Sequence, residues 1–112
     1  VAGGIIPALQ KAKAYLQENN LNLGIEIETR NIEEVKQALT QLPFQRIMLD
    51  NFTPEKTKEA LALIANQCET ESSGGITLKN ITEYAATGVQ FISLGMLTHS
   101  VKSMDISFKI KI

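Results

Sequence analysis

Four places along this 112-residue chain bring together residue types suited to chemistry. Glu28 ends an alternating run, and Asp50 follows Arg46-Ile47-Met48-Leu49. Carboxylates at the ends of adjacent strands can hold a divalent cation, grip sugar hydroxyls or stabilise a cationic transition state. The plainer alternatives are a solvated strand-end charge for Glu28 and a turn cap shared with Asn51 for Asp50. The third place is Glu71-Ser72-Ser73-Gly74-Gly75, set between a short strand at residues 66–70 and a helical pattern of Leu78, Ile81, Tyr84 and Ala85 closed by Gly88. Two glycines let a backbone come close to a ligand, because neither carries a Cβ. The N-terminus of the helix that follows suits a phosphate, and Ser72 and Ser73 add hydroxyls. This reads as a phosphate cradle, with a tight strand-to-helix turn as the simpler alternative. The fourth place follows Leu94. The amides of Gly95 and Met96, with His99, can form a second wall facing residues 73–75. Thr98 and Ser100 there either donate hydroxyls or cap the turn.

These residues need elements to carry them. Ile5, Leu9, Ala12 and Leu16 recur at helical spacing, with Pro7 in the first turn and Asn19-Asn20 as the stop. Residues 23–29 alternate as a strand, with Glu26 and Glu28 on one face and Ile25 and Ile27 on the other. Asn31 and Glu34 have the form of a capping box for a helix through Val35, Ala38, Leu39 and Leu42, stopped by Pro43. Residues 46–50 read as a buried strand. Thr53-Pro54-Glu55 then opens a helix whose apolar side is Leu61, Ile64 and Ala65. Residues 89–94 form the next strand, ending at Gly95, and Met96 to Ser100 a turn or short helix. Residues 105–112 alternate cleanly as a half-exposed strand, expected to pair in another sheet.

Glu28, Asp50, Ser72 or Ser73, and Gly95 follow one another at intervals of about 22 residues, the period of a parallel β/α barrel. A right-handed βα series puts all four strand ends on one rim, the rim that carries the active site in such barrels. Four strands cannot close a barrel, so a partner or another copy is expected to supply the rest.

Composition sets the outer limits. A hydrophobic share of 44%, a charged share of 21% and a net charge of −1 are ordinary for a globular protein and leave no electrostatic footprint for nucleic acid or a membrane surface. No apolar run approaches the ~20 residues needed to cross a bilayer. Cys68 is the single cysteine, which fits a reducing cytoplasm and a core role. The chain opens Val-Ala-Gly-Gly without an initiator Met, so it reads as a fragment of a larger protein. With only Arg30 and Arg46 as arginines, a polyanionic substrate needs cations from elsewhere.

Five motifs occur in order: Glu26-Ile27-Glu28-Thr29-Arg30-Asn31, Met48-Leu49-Asp50-Asn51, Ser72-Ser73-Gly74-Gly75, Ser93-Leu94-Gly95-Met96-Leu97-Thr98-His99-Ser100 and Met104-Asp105-Ile106-Ser107. Together they resemble the C-terminal part of the quinolinate phosphoribosyltransferases, over essentially the whole chain. The resemblance implies a cytoplasmic enzyme of NAD biosynthesis. Such an enzyme joins quinolinate to the ribose of 5-phosphoribosyl-1-diphosphate with Mg²⁺, releasing diphosphate and CO₂ to give nicotinate mononucleotide. It implies that Glu28 and Asp50 bind the ribose hydroxyls and the associated Mg²⁺ and steady a ribose cation. It likewise implies that Ser73, Gly74 and Gly75 hold a phosphate, with Leu94, Gly95, Met96 and His99 completing that wall.

The resemblance further implies a partial parallel β/α barrel, the C-terminal half with about four βα units, whose tail strand at residues 104–112 joins an N-terminal domain lying outside this chain. That domain and the first barrel strands carry the cationic residues that clamp the quinolinate carboxylates. A homodimer or higher homo-oligomer is expected, and this chain alone is expected to be inactive. Two other readings stand beside this one: another phosphosugar-binding β/α-barrel enzyme, and a non-catalytic assembly domain.

Overall fold

The computed structural model describes residues 4–97 and 105–111, and for residues 95–97 and 105–111 the backbone alone. The elements run α1 (Ile5–Glu18), β1 (Glu26–Thr29), α2 (Ile32–Leu39), β2 (Arg46–Asp50), α3 (Pro54–Ile64), β3 (Glu69–Ser73), α4 (Ile81–Ala85), β4 (Phe91–Leu97) and β5 (Asp105–Lys111). Local chemistry explains most of the boundaries. The Asn31 side chain accepts the Glu34 N–H at 2.8 Å, and the Glu34 carboxylate accepts the Arg30 N–H at 2.7 Å. Glu34 thus reaches one residue further back than the usual capping box. Thr53 accepts the Lys56 N–H at 3.1 Å, and Pro54 opens α3 where its missing N–H costs nothing.

Strands β1 to β4 are parallel and adjacent in chain order, and β5 adds antiparallel to β4. Period two divides the sheet into two faces. Ile27, Ile47, Leu49, Ile92 and Leu94 pack in the two apolar clusters with Val35, Ala38, Ala60, Ile64 and Tyr84 from the helices. Helices α1 to α4 lie side by side in chain order. Glu26, Glu28, Arg46, Met48, Asp50, Glu69, Glu71, Ser73, Phe91 and Ser93 alternate with those core positions and share the other face. This is part of a parallel β/α barrel, with helices outside and a polar face toward the barrel axis.

The structure moves several boundaries. The third strand is Glu69–Ser73, not residues 66–70. Its buried residues Thr70, Glu71 and Ser72 are all polar, so an apolar pattern could not reveal it. Side-chain bonds hold it instead, among them the Thr70 N–H to the Gln90 side chain at 3.0 Å and the Gln90 N–H to the Thr70 hydroxyl at 3.2 Å. Cys68 lies just before β3, half-buried against the first cluster, as a core residue would. Strand β4 runs through Gly95 to Leu97, so Met96 and Leu97 extend a strand where a turn or short helix was expected. The tail strand pairs with β4 in this same sheet rather than in another. An open strand edge offers a row of unpaired N–H and C=O groups, and β5 occupies the one that β4 would otherwise expose.

Candidate active site

Asp50 is the last residue of β2 and Ser73 the last of β3, and the parallel register sets them opposite each other. Beyond them the two chains stay tied, because the Asn51 N–H donates to the Ser73 carbonyl at 2.8 Å. Asn51 sits at φ +61°, a left-handed conformation that Asn tolerates better than most residues. Next comes Gly74 at φ +87°, where a Cβ would lie 2.6 Å from Asn51 Oδ1 and 2.8 Å from Asp50 Oδ1. A side chain there would collide with both. The Asp50 carboxylate and the diglycine bend therefore share one small region of the rim.

Gly75, at φ +70°, has only Asn51 Oδ1 near its would-be Cβ, at 3.8 Å. Asn80 holds the rest of the loop: its amide donates to the Gly75 carbonyl at 3.0 Å and its oxygen accepts the Thr77 N–H at 2.8 Å. Among the described residues, no hydrogen bond takes the N–H of Gly74 or Gly75. Two amides on a bend without Cβ atoms remain available to an anion. The helix does not contribute as expected. α4 is a five-residue helix starting at Ile81, separated from the glycines by residues 76–80, and Leu78 is exposed rather than on its apolar side. Any anion site here is made by the bend, not by a helix dipole.

Other sequence-predicted residues fall in different places. Glu28 is exposed, on the same sheet face as Asp50, but it pairs with Met48 and so stands one pleat below Asp50. It also lines a cavity of about 240 Å³ beside the first turn of α1, with Gly4, Ile5 and Ala8. Ser72 is buried on the helix face, with a hydroxyl that has no partner among the described residues, so it adds no donor to the cradle. The Leu94 side chain is buried in the cluster with Ile76, Tyr84, Val89 and Ile92, which leaves only its main chain for ligands. Gly95 and Met96 pair with Ser107 and Ile106 of β5. Their amides belong to a strand rather than to a turn. His99, with Thr98 and Ser100, lies outside the described residues. A larger cavity, about 420 Å³, opens beside the rim between Arg30, Ile32, Asn51, Phe52 and Lys56; neither Asp50 nor the diglycine lines it.

Beneath the rim lies a cluster the sequence reading missed. Arg46 Nη1 donates to Glu71 Oε1 at 3.1 Å, and Nε and Nη2 donate to Glu69 Oε1 at 3.2 and 3.1 Å. The Ser93 hydroxyl donates to Glu71 Oε2 at 2.5 Å, and the Phe91 ring lies 3.8 Å from the guanidinium. Glu71 is fully buried. Partial burial pulls the Arg46 pKa down, but the bonds to Glu71 and Glu69 outweigh it and the net shift is upward. The available signal was parity within each strand: Arg46 and Asp50 lie an even number of residues apart, as do Glu71 and Ser73, so each pair shares a face, and the register sets both pairs on the same one.

The family profile described as "Quinolinate phosphoribosyl transferase, C-terminal domain" matches residues 1–109. The chain belongs to that family. It is 44% identical over 97% of its length to quinolinate phosphoribosyltransferase [decarboxylating] 2b, mitochondrial, of Nicotiana tabacum. It is 40% identical over 96% of its length to a probable nicotinate-nucleotide pyrophosphorylase [carboxylating] of Bacillus subtilis. Among solved structures, the nicotinate-nucleotide pyrophosphorylase of Francisella tularensis superposes with a TM-score of 0.73 at 36% identity, over 83% of this chain and 31% of that one. The chain spans 35% of the tobacco relative's length and 36% of the Bacillus relative's.

Proposed function

We propose that the full-length protein containing this chain transfers the phosphoribosyl group of 5-phosphoribosyl-1-diphosphate to quinolinate with decarboxylation, giving nicotinate mononucleotide for NAD biosynthesis. In that reaction the bond from ribose C1 to the diphosphate oxygen breaks and the electron pair leaves with diphosphate. A bond from the pyridine nitrogen to C1 forms, and one carboxyl group departs as CO₂, leaving its bonding electron pair on the ring carbon, which takes a proton. Positive charge gathers on the ribose as diphosphate leaves. Asp50, and Glu28 from the same face, supply negative charge for it, a contribution felt mainly in the transition state. The amides of Gly74 and Gly75, with the Ser73 hydroxyl, take a phosphate of the donor substrate. Gly95, Met96 and His99, with the main chain of Leu94, complete the far wall. The single observation behind this reading is the Asp50 carboxylate set against the diglycine bend on one rim of a family member.

Mg²⁺ fits these residues in a limited way. Among the described residues no three of the His, Cys, Asp and Glu side chains come together as a metal site. Mg²⁺ asks less: it keeps several waters and is bound by one or two carboxylates plus substrate phosphates. Asp50, with Glu28, is the donor set for it, and the ion would neutralise charge on the departing diphosphate. We further propose a homo-oligomer, at least a dimer, and the cytoplasm as its compartment, since the single half-buried cysteine calls for no oxidising environment.

The test is a steady-state assay of the full-length protein for quinolinate-dependent release of diphosphate and formation of nicotinate mononucleotide. Asp50→Asn is expected to lower kcat by about 100-fold, and Glu28→Gln by about 10-fold or more, with smaller changes in KM. A wild-type protein that leaves phosphoribosyl diphosphate intact in the presence of quinolinate overturns the reading.

A further inference from the structure

The buried charges of the inner face form one connected group that spans three strands. Arg46 begins β2, Glu71 is the middle residue of β3, and Ser93 and Phe91 belong to β4. Each of these strands also carries part of the candidate site a few residues later: Asp50 on β2, Ser73 and the diglycine on β3, Gly95 on β4. The contacts beneath the rim therefore set the relative heights of the three strand ends.

Stability alone is a poor reason for such a group. Burying a carboxylate and a guanidinium costs several kcal/mol of hydration, which the pair recovers only in part, and apolar residues of similar volume commonly serve as well or better. Register is a better reason. A slip of one residue between β2 and β3 would carry Glu71 to the helix face, among Ile47, Leu49 and Ile92, with its charge unpaired. A two-residue slip of β3 past both neighbours would keep the face but cost Glu71 one partner, setting it opposite Arg46 and away from Ser93 in one direction, or opposite Ser93 and away from Arg46 in the other. The observed alignment gives the carboxylate both Arg46 and Ser93, and that alignment sets Asp50 opposite Ser73.

We propose that Arg46, Glu71 and Ser93 are positioning residues for the transferase site, holding β2, β3 and β4 at the heights that place the Asp50 carboxylate against the diglycine bend. The assignment rests on the function proposed above, and the test separates the two. In the full-length protein, Arg46→Met takes the guanidinium from the buried Glu71 carboxylate, Glu71→Met leaves the half-buried Arg46 to Glu69, and each lowers the Tm. The double variant Arg46→Met/Glu71→Met removes both charges and returns the Tm to near the wild-type value. Its kcat nevertheless stays about 10- to 100-fold low, the cost of displaced catalytic groups. A group serving stability only would recover activity together with the Tm, so a double variant with wild-type Tm and wild-type kcat overturns the proposal.

Should the double variant not fold, Ser93→Ala gives the same answer with little change in volume. It lowers kcat, Ser93→Thr restores it by keeping the hydroxyl, and wild-type kcat in Ser93→Ala overturns the proposal. A crystal structure of Ser93→Ala, or of the double variant, reads the claim without an assay. Asp50 Oδ1 is expected to move by about 1 Å or more relative to Gly74, on the scale at which misplacement matters. An unmoved contact defeats the positioning role whichever reaction the protein performs, whereas an inactive wild type defeats only the functional reading.

Discussion

At the scale of single residues, the site turns on an absent side chain. Gly74 has two independent requirements: a φ of +87° and the Asp50 and Asn51 side-chain oxygens within 3 Å of where a Cβ would lie. Gly75 has the first requirement, at φ +70°, without the second. The two glycines thus separate backbone strain from steric conflict. Gly75→Ala is expected to cost about 1–2 kcal/mol, the strain of a left-handed alanine. Gly74→Ala should cost more, about 2–4 kcal/mol, because it adds overpacking against Asn51 and Asp50. Urea denaturation of both variants checks the order, and equal losses would mean that the Asp50 contact exerts no force. The diglycine was plain in the sequence, as was Asp50. That they touch was not, because contact across strands depends on register, and no residue in either segment states its partner.

Elements were legible where apolar periodicity was present. α1, α2, α3, β1 and β2 announce themselves through alternation or helical spacing with recognisable caps, at Asn31 and Thr53 above all. β3 did not, since its buried residues are Thr, Glu and Ser and its stability comes from partners elsewhere in the chain. α4 was legible only in part, because its apolar residues are few and its start is delayed by the Asn80 loop. One long-range bond secures that region: the Tyr84 hydroxyl on α4 donates to the buried Phe52 carbonyl at 2.7 Å, pinning the loop that follows Asp50 and Asn51. Burial, then Glu83 and Glu55, push the Tyr84 phenol above its ordinary value. A raised phenol favours the protonated, folded state. Its contribution is therefore complete below a pH of about 10 and is lost as pH rises through the folded-state value. Tyr84→Phe should lower stability at neutral pH by about 1–3 kcal/mol, since it leaves the Phe52 carbonyl unpaired. The variant should also lose less stability than the wild type between neutral and strongly alkaline pH. Thermal melts across that range, in which both proteins declined in parallel, would assign no such role to Tyr84.

For the molecule as a whole, the spacing of about 22 residues between strand ends was enough to foresee a run of parallel βα units. The partner of the tail strand was not foreseeable, because an alternating strand pairs with whichever edge is open, and sequence does not say which that is. With β5 along β4, the edge strands are the seven-residue β5 and the four-residue β1, and the exposed Glu26 and Glu28 of β1 discourage another strand from adding there. Self-association of the 112-residue chain is expected to proceed through a face rather than through the β1 edge. The helix face is already covered, whereas the inner face presents half-buried Met48 and Phe91 among its polar residues, and four parallel strands cannot curl far enough to close over them. Light scattering on the 112-residue chain is expected to show a dimer or larger species. Met48→Lys, which places a charge in the middle of the inner face, should shift it toward monomer. Leu63→Lys, on the outer side of α3 where Leu63 is 37% exposed, should not. The opposite pattern would place the contact on the helices and leave the inner face to water.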